Sequence, residues 1–171
     1  MDDLIAFNKP CGVICQFSEH EKHPCLKDYV DRPGFYPAGR LDTDSEGLLL
    51  LTDNGVLQAQ IADPKFKREK TYWAQVEGSP DEEKLDLLRN GMDLGGFVTR
   101  PAKVRLLEAG EADILWPRNP PVRMRKTVPD FWLEIRITEG KNRQVRRMTA
   151  KAGYPCLRLV RVAVGRLNVF D

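Results

Sequence analysis

Apolar residues recur along the chain with two periods, and each change of period or cluster of turn residues marks the end of an element. Residues 4–8 form a short apolar run that stops at Lys9-Pro10 and predict a strand. Residues 11–38 are interrupted by Gly12, Pro24, Pro33-Gly34 and Pro37, so no long element fits there. Residues 48–52 are continuously apolar and end at Asp53-Asn54-Gly55, the pattern of a buried strand leaving into a turn. Residues 56–62 then predict a short helix halted before Pro64.

Residues 70–76 alternate as a strand with Tyr72, Ala74 and Val76 on one side. Ser79-Pro80 and the acids that follow predict a helix with Ser79 as its N-cap, running to about Asn90. Residues 91–107 read as strand-like pieces around Gly95-Gly96. Residues 116–130, with four prolines and four basic side chains, read as an exposed basic loop. Residues 132–137 alternate again, residues 140–153 predict a helix, and residues 155–164 a last strong strand. Strands and helices interleave without the regular spacing of parallel units, which predicts an α+β fold on a mixed sheet.

At 171 residues the chain suits one domain with a substantial core, and 42% hydrophobic with 30% charged residues is an ordinary globular balance. No apolar run approaches the roughly 20 residues needed to cross a bilayer. The start, MDDLIAFNKP, carries acids where a secretory signal needs bases. Four cysteines, unevenly spread, do not make a disulfide framework, so a reduced, cytoplasmic protein is expected. Nor does any exposed apolar stripe demand a partner, so a monomer is expected.

The small net charge of +2 hides a strong asymmetry. Residues 1–64 hold 5 basic and 11 acidic side chains, and residues 65–171 hold 22 and 14. Between Gly140 and Phe170 stand 8 lysines and arginines and no acid. Such a segment is either a solvated charged face or a surface for a polyanion, whose counterions are released on binding. At 100° per residue Arg143, Arg146, Arg147 and Lys151 fall within an arc of about 140°, with Val145, Met148 and Ala152 opposite.

The acids Asp42, Asp44, Glu46 and Asp53 invite three chemical readings. As positions of a calcium loop they fail, because the proline- and glycine-broken stretch before them cannot be the entering helix. As paired carboxylates acting at a sugar carbon, Asp42, Asp44 and Glu46 would share one side of an extended chain, but spacing alone does not bring them to one cleft. Turn or surface carboxylates are the plain alternative. Cys11, Cys15, His20, His23 and Cys25 lack the paired spacing of structural zinc knuckles.

Gly39-Arg40-Leu41-Asp42, with Ser45-Glu46-Gly47 and the four leucines before Thr52-Asp53-Asn54-Gly55, resembles the central motif of the RsuA/RluB/RluE family of pseudouridine synthases. Lys9-Pro10-x-Gly12 resembles that family's first motif and Lys70-Thr71-Tyr72 its Lys-x-Tyr motif. The stretch from Gly140 to Met148, then Leu159-x-Arg161 and Gly165, resembles its C-terminal motif. The four matches are in order and extend over residues 7–165.

This resemblance implies a pseudouridine synthase fold: a mixed, mainly antiparallel sheet flanked by helices, with the active-site cleft across it. It implies a single catalytic domain over residues 1–171, without an S4 module before Lys9. Members of that family usually continue past the last strand into a further tail, so a truncated C-terminal tail is one expectation for a chain ending at Asp171. The implied reaction isomerises a uridine of ribosomal RNA, in 23S RNA of the large subunit or its assembly intermediate. Asp42 is then the nucleophile and Arg146 its ion-pair partner, with Tyr72 against the base and Leu159 lining the pocket. Arg40 would hold the flipped nucleotide. Lys9, Arg118, Arg123, Arg125, Lys126, Arg143, Arg147, Lys151 and Arg161 are expected to contact RNA. No cofactor is implied, since the reaction involves neither redox change nor hydrolysis. A non-catalytic RNA-binding factor and a metal-dependent hydrolase are the competing classes.

Overall fold

The computed structural model describes residues 3–171; Met1 and Asp2, and with them part of the acidic start, lie outside the described residues. Eight strands form one mixed sheet: β1 (Leu4–Lys9), β2 (Tyr36–Ala38), β3 (Glu46–Thr52), β4 (Lys70–Glu77), β5 (Lys103–Leu106), β6 (Asp130–Ile137), β7 (Cys156–Val164) and β8 (Leu167–Asn168). Three helices accompany it: α1 (Gly55–Ala62), α2 (Glu82–Arg89) and α3 (Gln144–Lys151). The strand order is β1-β3-β7-β4-β6-β5, with β2 paired to β3 and β8 to β7. Every pairing is antiparallel except β3 with β7. The expected mixed, mainly antiparallel α+β sheet is therefore present.

The β3–β7 junction shapes the molecule. All seven residues of β3 are buried, as its unbroken apolar run predicts. β1 covers one edge of β3 from Gly47 to Thr52. The other edge is divided: Glu46 and Gly47 pair with Val160 and Arg161 of β7, whereas Leu50, Leu51 and Thr52 pair with β2. β7 thus leaves β3 after two residues, and a wedge opens between the sheet's halves.

Alternation on β4 and β7 assigns their two faces. Ala74, Val76 and Leu159 join Leu85, Leu88, Val145 and Met148 in the core beneath α2 and α3, with Tyr72 packed at its edge. Trp73, Val160 and Val162 form the opposite face, covered by Leu107, Leu115, Trp116, Trp132 and Val169. Burying these faces supplies the main driving force for closing the sheet, at roughly 25 cal/mol per Å² of apolar area.

Two helix starts differ from expectation. α2 is capped by Asp81, whose carboxylate accepts from the amides of Glu83 (2.9 Å) and Lys84 (3.4 Å), and not by Ser79. Pro80 keeps its predecessor extended, and the Ser79 carbonyl accepts the Tyr154 hydroxyl at 2.9 Å. α3 starts at Gln144 rather than Gly140, because Arg143 takes a left-handed conformation with φ 51° and ψ 33°. Val145, Met148 and Ala152 are buried as the helical pattern requires.

Candidate active site

A cleft of about 450 Å³ opens beside the split, lined by the end of β2, β4 and β7, within the roughly 300–1,000 Å³ usual for small-ligand sites. Its walls come from the 39–42 turn, the end of α1, the start of β4, residues 140–145 and β7. Arg40, Asp42, Tyr72, Arg143, Leu159 and Arg161 all line it. Tyr72 lies opposite Arg161, and Ala74 opposite Leu159, so the tyrosine and the leucine stand on neighbouring strands of the same face.

Asp42 sits on the turn between β2 and β3, with its side chain 39% exposed. The cation on its carboxylate is Arg143, whose Nη1 donates to Asp42 Oδ2 at 3.1 Å. The same guanidinium forms a fork with Asp44, with Nη1 to Oδ1 and Nη2 to Oδ2 both at 3.0 Å. Arg146, the expected partner, instead donates from Nη2 to the Asp44 carbonyl (3.0 Å) and to Ser45 Oγ (3.4 Å), beside Asp44 Oδ2 at 3.7 Å. The cause of this exchange of arginines is geometric. The left-handed residue at the helix start sends Arg143 across to the loop, while Arg146, one turn on, lies behind it. Burial pushes the Asp44 carboxyl up, but the Arg143 hydrogen bonds and the charges of Arg146 and Arg143 hold it below the usual carboxylate range. The bonds that Arg143 donates to Asp44 raise the arginine above its ordinary value in turn.

Lys9 and Arg161 do not fit their expected role as RNA contacts. Lys9 is fully buried, and its ammonium donates to the carbonyls of Pro10 (2.9 Å), Val13 (2.8 Å) and Thr43 (3.3 Å). It ties the end of β1 to the loop that carries Asp42. Arg161 is 4% exposed; its Nε donates to the Leu48 carbonyl at 2.9 Å and its Nη1 to that of Arg40 at 3.3 Å. Both therefore spend their donors on backbone that shapes the cleft. Lys70, at the cleft wall, is lowered by burial and by the nearby Arg161 charge, and donates to the Glu139 carbonyl at 3.4 Å.

Arg40 lines the cleft with Arg143 and is exposed, whereas the remaining expected RNA contacts lie outside it. Arg147 and Lys151 are exposed on α3 and donate to the carbonyls of Leu94 (2.6 Å) and Asp93 respectively. Arg123, Arg125 and Lys126 project from an irregular, exposed loop, where Arg125 pairs with Glu77. Arg118, half-buried at its base, donates to the Leu157 carbonyl at 3.0 Å.

Glu46 is no companion of Asp42. It is 1% exposed and accepts two bonds from Arg158, both 2.9 Å, and one of 2.8 Å from the Trp116 indole. Arg158 also donates to the Trp116 carbonyl at 2.8 Å. This buried pair underpins β3 and fastens the start of the basic loop to it. The isolated acid-rich motif gave no sign of it, since the partners lie 70 and 112 residues away.

The structure thus gathers an aspartate, a tyrosine and several arginines in one cleft. Residues 3–151 match the RNA pseudouridylate synthase family, and the chain belongs to it: it is an isomerase of RNA. It is 58% identical over 164 residues (95% of this chain, 85% of the other) to ribosomal large subunit pseudouridine synthase E of Xanthomonas axonopodis pv. citri (strain 306). The protein of the same name from Vibrio parahaemolyticus serotype O3:K6 is 49% identical over 168 residues, 98% of this chain and 69% of the other. A solved pseudouridylate synthase superposes with a TM-score of 0.80 at 28% identity, covering 99% of this chain and 65% of that one. Among the described residues no helix is long and apolar enough to cross a membrane.

Proposed function

We propose that this enzyme converts a uridine of 23S ribosomal RNA, in the large subunit or its assembly intermediate, to pseudouridine in the cytoplasm, with Asp42 as nucleophile and the target nucleotide flipped into the cleft. The observation that carries the reading is that Asp42, Tyr72 and Leu159 line one pocket of nucleotide size. The names of its relatives, ribosomal large subunit synthases, support the choice of RNA.

The chemistry breaks the N1–C1′ bond, turns the uracil and joins C5 to C1′; the proton leaving C5 is balanced by one gained at N1. An ionised carboxylate starts either route, attack at C1′ or attack at C6, and the Arg143 guanidinium holds that carboxylate in place through its 3.1 Å bond. Tyr72 is the platform for the turned base and the group placed to take the C5 proton. Arg40 steadies the extruded nucleotide through a phosphate, offsetting an unstacking cost of a few kcal/mol. Arg146 supplies a second positive charge behind Asp44. The exposed arginines and lysines of α3 and of the 117–129 loop hold the surrounding backbone.

Release of tritium from 5-³H-uridine-labelled rRNA tests the reading. The wild-type protein releases label, with or without EDTA, and Asp42→Asn abolishes release while RNA binding persists. Full release by Asp42→Asn would overturn the nucleophile assignment. Binding without release by the wild type would favour a non-catalytic RNA-binding factor.

A further inference from the structure

We infer that Asp44 is a positioning residue for the isomerisation, holding Arg143 in the orientation from which it reaches Asp42. The inference rests on the reading of Asp42 as the nucleophile. Asp44 lies two residues beyond Asp42 and receives both arms of the Arg143 guanidinium at 3.0 Å, whereas Asp42 receives a single bond of 3.1 Å. A two-armed pair fixes the plane as well as the position of a guanidinium, and a single bond does not. The direction of the Nη1 donor at Asp42 is thus set by Asp44.

Two further features agree. Arg143 holds a left-handed backbone that side-chain-bearing residues seldom adopt, and such a conformation persists when surrounding contacts over-determine it. The fork to Asp44 supplies two of the three bonds that hold the Arg143 side chain there. Its carboxylate also stands 3.7 Å from Arg146, so one acid offsets part of the charge of two arginines beside the nucleophile. Its negative charge sits 46% exposed beside the cleft-lining Asp42, where it opposes the approach of an RNA phosphate. Affinity for RNA therefore does not account for an acid at this position, and alignment of Arg143 does.

The test compares single-turnover tritium release and RNA affinity in the wild type, Asp42→Asn, Asp44→Asn, Arg143→Gln and the Asp44→Asn/Arg143→Gln double variant, with melting followed alongside. Asp44→Asn is expected to slow release by on the order of tenfold to a hundredfold, the scale of a small misplacement of catalytic groups. RNA affinity should be equal or tighter, because a negative charge is removed. The double variant should be no slower than Arg143→Gln alone, since Asp44 acts through that arginine. A wild-type rate in Asp44→Asn overturns the inference, as do multiplicative losses in the double variant or an affinity loss matching the rate loss. Retained release by Asp42→Asn overturns the nucleophile reading instead, and this inference falls with it.

Discussion

Gly47 and Arg161 meet backbone to backbone where the two halves of the sheet run parallel: a Cβ on Gly47 would stand 2.3 Å from the Arg161 carbonyl oxygen and 2.8 Å from its amide nitrogen. Gly47 also holds φ at +109°, which side-chain-bearing residues avoid. The glycine of the Ser-Glu-Gly motif thus lets β7 approach β3 closely before the strands part.

Gly47→Ala should therefore lower stability by about 1–3 kcal/mol, the scale of overpacking, with backbone strain added. Urea denaturation followed by circular dichroism measures it. Tritium release should fall as well, because displacement of Arg161 loosens its bond to the Arg40 carbonyl. An unchanged denaturation midpoint would show that the junction yields without cost.

The Glu46–Arg158 pair gives a second prediction. Glu46→Gln leaves the Arg158 charge buried and unbalanced, and should cost about 3–5 kcal/mol. The Glu46→Leu/Arg158→Met double variant should recover much of that loss, since neither charge then remains to be desolvated. A double variant as unstable as the single would locate the cost in the bonds to Trp116 instead.

Lys9 predicts a pH dependence. Burial lowers its ammonium from 10.5 to about 8, against the raising influence of nearby Cys15, Cys11, Glu46 and Asp44. Between these values the unfolded chain binds the proton and the folded chain does not, so stability rises with pH in that window and the contribution is constant below it. The wild-type unfolding free energy should therefore gain roughly 3 kcal/mol over that of Lys9→Met from pH 8 to 10.5. A pH-independent difference between the two proteins would show that Lys9 titrates as a solvated lysine.

Salt dependence separates surface cations from buried ones. Arg123→Ala and Lys126→Ala should each reduce the slope of log affinity for RNA against log salt by about one unit, if each neutralises one phosphate. Arg161→Ala should lower stability and leave the slope unchanged, because its guanidinium serves backbone carbonyls. A slope altered by Arg161→Ala would return that residue to the RNA surface.

Much of the scaffold was legible because local pattern and burial agree. The leucines after Gly47 could only be a strand covered on both faces, and the Tyr72-Ala74-Val76 alternation does lie toward one core. The basic helix face was equally plain, with Val145, Met148 and Ala152 buried. The start of that helix was not. No residue pattern announces that Arg143 turns left-handed, and this one torsion decides which arginine meets Asp42. Lys9 and Arg161 misled for a related reason, since a basic side chain reads alike whether it faces phosphate or is sealed against carbonyls.

The sequence by itself determined the family, the order of strands and helices, the uneven charge, and Asp42, Tyr72 and Leu159 as residues of one site. The elements and the charge follow from local periodicity and composition, while the family and the three site residues follow from the resemblance of its motifs. Only the tertiary structure decided how the carboxylates divide their work: Asp42 open to the cleft, Asp44 forked by Arg143, Glu46 sealed against Arg158. Those assignments depend on contacts across about a hundred residues, where a difference of a few ångströms chooses between ion pair, phosphate contact and buried anchor, and no local pattern records that distance.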